Sequence, residues 1–101
     1  MNKEIIGKDV VLYSNQASHL EKHKNEFINN DSYIQSRNNI KDILIQPEFI
    51  SIDNKNNSLL FIKKMIDNTL VAVRITNKKE LKVRTMYPIN ESKKLRLKSI
   101  H

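Results

Sequence analysis

The spacing of apolar residues changes character once along this chain, and the change falls at Pro47. Before it, apolar residues recur at helical spacing; after it, short β-branched runs alternate with polar turns. Helices therefore come first and an antiparallel sheet second, because turns of a few residues can join only antiparallel neighbours. Phe49 to Ile52, Leu59 to Ile66, Thr69 to Thr76 and Leu81 to Tyr87 read as strands. The polar turn Asp53 to Ser58, the hairpin signal Asp67-Asn68 and the turn Asn77 to Glu80 separate them, and Pro88 is expected to stop the last. Upstream, Ser14 is placed to cap a helix running to about Asn29, with Ala17, Leu20, Phe27 and Ile28 on one face. A second helix starts near Asp31 or Ser32, buries Tyr33, Ile40, Ile43 and Leu44, and ends at Pro47. Residues 5–13 are an apolar opening, a strand or an extended lead-in. The expected fold class is α+β, with two N-terminal helices packed on a four-stranded antiparallel sheet.

Composition narrows the chemistry. With 101 residues the chain suits one domain over 1–101, its core about 10–90 and a basic tail over 91–101. Gly7 is the single glycine, which excludes a Gly-rich phosphate loop. There is no cysteine, hence no disulfide framework and no thiolate metal site, and a reducing cytoplasm is the expected location. No apolar run is long enough to span a membrane, and the N-terminus does not read as a signal peptide.

Positive charge is placed unevenly. Residues 1–61 hold seven Lys/Arg against eight Asp/Glu, whereas residues 62–101 hold eleven against three. A one-sided basic surface attracts polyanions, although a lysine-rich surface also serves solubility alone. Affinity for RNA is therefore expected to map to residues 62–98. The run Glu91 to Lys98 reads as a short basic helix or a disordered tail.

Two histidines, His19 and His23, stand four residues apart on the first expected helix. That spacing puts them on one flank, at the rim of the Leu20/Phe27 stripe. Such a pair can supply a general base and a general acid near neutral pH, or can simply be two polar residues on a helix flank. Zinc is disfavoured, since Glu21 is misplaced for either metalloprotease pattern and His101, the third histidine, ends the chain. On the last strand, alternation sends Val83, Thr85 and Tyr87 to one face and Lys82, Arg84 and Met86 to the other. Arg74 interrupts the apolar face of Leu70 and Ala72, either as a solvent-facing residue or as a phosphate fork. Lys63 and Lys64 point to opposite faces, so one of them can join a site, and parity does not say which.

The order of SNQASHLEKH, ILIQPEFI, LLFIKK, LVAVRI and LKVRTMYP resembles the phage-type Barnase–EndoU–Colicin–RelE nuclease domains. In that family a helix carries His-x-x-x-His or His-x-x-Arg-His. A stretch like Asp42 to Ile50 follows, and the strands end in an element like Val83 to Tyr87. The resemblance covers roughly residues 10–90. It departs at Lys22, where the family often has arginine before the second histidine.

It implies a metal-independent ribonuclease without cofactor, of a phage or mobile-element toxin type, acting on tRNA or mRNA and neutralised in some settings by an antitoxin or immunity protein. It carries onto His19, His23 and Thr85 as site residues, with Arg74 and a strand lysine as basic partners. The expected chemistry is attack of a 2′-hydroxyl on phosphorus, with His19 as base and His23 as acid. Arg74 and Lys64 stabilise the developing charge, Thr85 bonds a phosphate oxygen and Tyr87 stacks on a base. Arg84, Lys93, Lys94 and Arg96 complete the expected nucleic-acid surface. Two other classes remain: a non-catalytic basic domain binding nucleic acid or an acidic protein, and an inhibitor of a host enzyme.

Overall fold

A computed structural model describes residues 3–5, 10–13, 18–75 and 81–99, with side chains from residue 20 onward. The fold is α+β and contains the expected four-stranded antiparallel sheet. Its strands are β3 (Phe49–Asp53), β4 (Ser58–Lys64), β5 (Asn68–Ile75) and β6 (Leu81–Ile89). The apolar opening adds two more, β1 (Lys3–Ile5) and β2 (Val10–Tyr13), giving the order β1-β2-β6-β5-β4-β3. β2 runs parallel to β6 and, among the described residues, pairs with it at Leu81 and Lys82. Asn57, in the β3–β4 turn, takes φ 51°, a left-handed conformation that asparagine tolerates better than most residues. The expected turn 77–80 lies outside the described residues.

Helices α1 (Asn30–Asn38), α2 (Ile40–Ile45) and α3 (Glu91–Ser99) complete the fold. Asn29 caps α1, its side chain accepting from Ser32 N at 2.9 Å. The expected second helix breaks at Asn39 into α1 and α2 and still buries Tyr33, Ile40, Ile43 and Leu44. The basic C-terminal run is helical, not disordered.

Two expectations are corrected. The first helix is not α-helical: the described part of residues 14–29 forms two short 3-10 helices, Ser18–Glu21 and Lys24–Glu26. The α-helical spacing assumed for His19 and His23 therefore does not hold. Leu20 and Phe27 are buried as expected, but Ile28 is 73 % exposed; Ser14 and Ala17 lie outside the described residues. Pro88, in turn, does not stop β6, which runs through it to Ile89. Proline is admitted where its missing N–H breaks no ladder, and beyond Lys82 β6 has a strand neighbour on one side only among the described residues.

The sheet is covered on both faces. On one, Phe61, Val71, Val73, Val83 and Met86 pack against Leu20, Phe27, α1 and α2. Ser36 Oγ and Thr69 Oγ1, both buried and 2.7 Å apart, tie α1 to β5. On the other, Leu60, Ile62, Leu70, Ala72 and Ile89 pack under Leu97 of α3.

Lys94 pins α3. Its Nζ donates to Glu48 Oε1 at 3.2 Å and Asn68 Oδ1 at 2.9 Å, and lies 3.0 Å from Glu48 Oε2. This bond, before all else, holds the Glu48 carboxyl below its ordinary range. Lys94→Ala removes charged hydrogen bonds to Asn68 and to Glu48, whose side chain stays 38 % exposed and is rehydrated, so it is expected to cost about 1 kcal/mol, read as a lower urea midpoint. A lowered folded-state pKa gives stability that is present above the unfolded-state value and lost as pH falls through the folded one. The wild type should accordingly lose α3 docking on acidification, by α3 amide exchange, and Lys94→Met should lose that pH dependence.

Candidate nucleic-acid interface

A bulge decides which β6 side chains share a face. Val73 pairs with Val83 and Ala72 with Thr85, which leaves Arg84 as the extra residue. The expected alternation therefore breaks. Met86 joins Val83 on the α1/α2 face, where both are fully buried, and not Lys82. Thr85 and Tyr87, opposite Ala72 and Leu70, share the α3 face with Arg74, which pairs with Lys82.

Register arranges that face in rows. Asp53, Ser58, Arg74 and Lys82 form one cross-strand row; Ser51, Leu60, Ala72 and Thr85 form the next; Phe49, Ile62, Leu70 and Tyr87 form the third. Polarity falls along the series, so the first row is polar and the third apolar beneath α3. Arg84 reaches across into the first row, its Nη1 donating to Ser58 Oγ at 3.2 Å. The Asp53 carboxyl is held below its usual range, first by the Asn56 side chain and also by the Arg84 charge. In the second row two buried hydroxyls, Ser51 Oγ and Thr85 Oγ1, have no hydrogen-bond partner among the described residues. A buried hydroxyl without a partner costs free energy.

At the third row the 3-10 segment straddles the edge of β6. Leu20 and Phe27 turn to the α1/α2 core, whereas the His23 ring lies against Tyr87, centroids 5.2 Å apart. The Glu26 carboxylate contacts His23 Nδ1 and so orients the imidazole. Lys93 Nζ stands over the Tyr87 ring at 4.9 Å.

His23, Tyr87 and Lys93 are thus gathered, with Thr85 two residues from Tyr87 on the same face. Arg74 is farther off, roughly 7 Å along the strand from the Thr85 row and roughly 13 Å from the Tyr87 row. Lys64 shares the α3 face, opposite Asn68, whereas Lys63 donates to Gln46 O at 3.0 Å on the other side. Arg96 is exposed on α3. Lys94 is no free phosphate contact: it is buried on Glu48 and Asn68. His19 belongs to the first 3-10 helix, and its side chain lies outside the described residues. Sequence reasoning missed Glu26, whose signal is its position three residues after His23, and the bulge, which no residue type marks.

A family model described as phage-Barnase-EndoU-ColicinE5/D-RelE like nuclease3 matches residues 1–96. No curated protein and no solved structure matches the chain.

The orphaned hydroxyl makes Thr85→Val a clean probe, because the substitution removes no hydrogen bond from the free protein. Stability should equal or exceed that of wild type by urea unfolding, because the variant buries no unpartnered hydroxyl there. Affinity for a phosphodiester should fall.

Proposed function

The chain belongs to the phage-Barnase-EndoU-ColicinE5/D-RelE like nuclease 3 family, and on that premise we propose that it is a metal-independent endoribonuclease of a phage or mobile element. One observation carries the reading: the His23–Glu26 pair is seated against Tyr87, beside the sheet face that presents Thr85 and Arg84. A proton carrier oriented by a carboxylate, with an unpartnered hydroxyl one row along the face and a guanidinium in the polar row beyond it, is equipment that phosphodiester cleavage can use.

RNA runs along the β6 margin of the α3 face, where Tyr87, Thr85, Arg84 and Lys82 are partly exposed, toward the exposed Arg74. His19 takes the proton of a 2′-hydroxyl, whose oxygen attacks the adjacent phosphorus. The bond from phosphorus to the 5′-oxygen breaks, and His23 protonates that oxygen, leaving a 2′,3′-cyclic phosphate and a 5′-hydroxyl. Thr85 donates to a non-bridging oxygen. Arg84 leaves Ser58 to face the charge on the scissile phosphate, while Arg74 and Lys64 hold flanking phosphates. Lys93, Arg96 and Lys98 add sequence-independent affinity as point charges.

His23→Ala should lower the cleavage rate about 10²–10⁴-fold with little change in RNA affinity, the signature of a group that acts in proton transfer. Glu26→Gln should give a smaller loss. Replacing Lys93, Arg96 and Lys98 by glutamine should reverse the pattern, weakening affinity and reducing the slope of log affinity against log salt by roughly 0.7 per lost contact on a single strand. Tight, salt-steep binding by a wild type that never cleaves RNA would replace the enzyme with a binding module.

A further inference from the structure

β3 is the outermost strand on its side of the sheet, and among the described residues it has a strand neighbour, β4, on one side only. Ser51 at its centre is fully buried, backbone included, so its N–H and C=O point to β4. Successive residues of an antiparallel strand send these groups in opposite directions, so those of Ile50 and Ile52 point out of the sheet. Their side chains lie on the α1/α2 face, opposite Phe61 and Leu59, and are 39 % and 60 % exposed. Proteins blunt such edges with very short strands, charges, proline or a bulge. The other edge conforms: β1 has three residues, of which Lys3 and Glu4 are charged. β3 does not. Phe49 to Ile52 holds no charge and no proline, and its pairing with β4 runs residue by residue without a break.

We infer that β3 is the interface through which two copies of this chain pair, antiparallel about a twofold axis at Ser51. The inference goes beyond the nuclease reading and does not rest on it. Centring on Ser51 is the register that pairs all five residues of each strand. It sets Ile50 of each copy opposite Ile52 of the other, each pair exchanging both backbone bonds and closing an apolar cross-strand contact. The Ser51 hydroxyl, which has no partner among the described residues, then stands opposite its own copy, and each hydroxyl can donate or accept. Charge argues for a copy over an acidic partner. Residues 42–61 hold Asp42, Glu48 and Asp53 against Lys55, a net of −2 in a chain of +7. An acidic partner is drawn to the basic residues 62–101 instead, whereas two copies that repel one another there meet at this margin without that excess. The same register brings Lys55 of one copy, in the turn beyond the strand, beside Glu48 of the other, so opposite charges meet at both ends.

The test is sedimentation velocity of the full chain without RNA, from micromolar to millimolar concentration and at low and moderate salt. The mass is expected to rise from 11.9 kDa toward twice that value, and more readily as salt screens the repulsion between two chains of +7. Backbone amide exchange at Ile50 and Ile52 is expected to slow over the same range. Ile52→Lys should weaken association roughly tenfold or more, since a charged side chain blunts an edge. Its urea midpoint should match wild type, because Ile52 is already mostly exposed in the single chain. Ile28→Lys changes an apolar side chain that is 73 % exposed and lies off β3, and it should leave association unaltered. A mass of 11.9 kDa at every concentration would overturn the interface. So would association abolished by Ile28→Lys but not by Ile52→Lys. Slow exchange at Ile50 and Ile52 that is independent of concentration would also overturn it, because a segment of the same chain would then cover the edge.

Discussion

One irregularity in one strand sets the chemistry available to this fold. Had β6 kept strict alternation, Met86 would share a face with Lys82, and Thr85 and Tyr87 would join Val83 in the core. The bulge at Arg84 instead gives Val83 and Met86 to the α1/α2 core and turns Thr85 and Tyr87 toward α3. It also frees Arg84 from cross-strand pairing, so that its guanidinium can lie across the sheet on Ser58. Bulges re-aim side chains in this way, and the gain here is a polar row laid against an apolar one.

The sheet can carry that row because its apolar demands are met elsewhere. β5 is buried on both faces, with Val71 and Val73 toward the helices and Leu70 and Ala72 toward α3. Helix α3 packs on this face through Leu97 and is fastened by the buried Lys94 to Glu48 and Asn68. A lysine that sequence reasoning assigns to RNA thus serves to anchor the helix that bounds the candidate interface. The 3-10 segment performs a similar double task at the β6 edge, sending Leu20 and Phe27 inward and His23 to Tyr87.

Much of the architecture was legible from residue types. The β-branched runs separated by asparagine-rich turns specified the antiparallel strands, and the Tyr33/Ile40/Ile43/Leu44 stripe specified the buried side of α1 and α2. What escaped depended on tertiary context. Residues 14–29 carry apolar residues at helical spacing, yet that spacing also serves 3-10 turns that must reach both sides of a strand edge. Proline is tolerated in β6 because, among the described residues, the strand beyond Lys82 has a ladder on one side only, a property of the sheet and not of the tripeptide around Pro88. Lys63 and Lys64 could not be told apart until register placed Lys64 with Asn68 on the α3 face. For the candidate site, residue types alone nominate His23, Thr85 and Tyr87, whereas the Glu26 contact depends on a fold that turns it back onto His23 Nδ1.

The central claim is that side chains of this chain, without a metal, direct a 2′-hydroxyl against its own phosphodiester. The chemistry of the product ends tests it most directly. Single-stranded RNA incubated with the protein in excess chelator, then analysed by mass spectrometry, should yield 2′,3′-cyclic phosphate and 5′-hydroxyl termini. Fragments ending in 3′-hydroxyl and 5′-phosphate, formed only when a divalent cation is restored, would contradict the account.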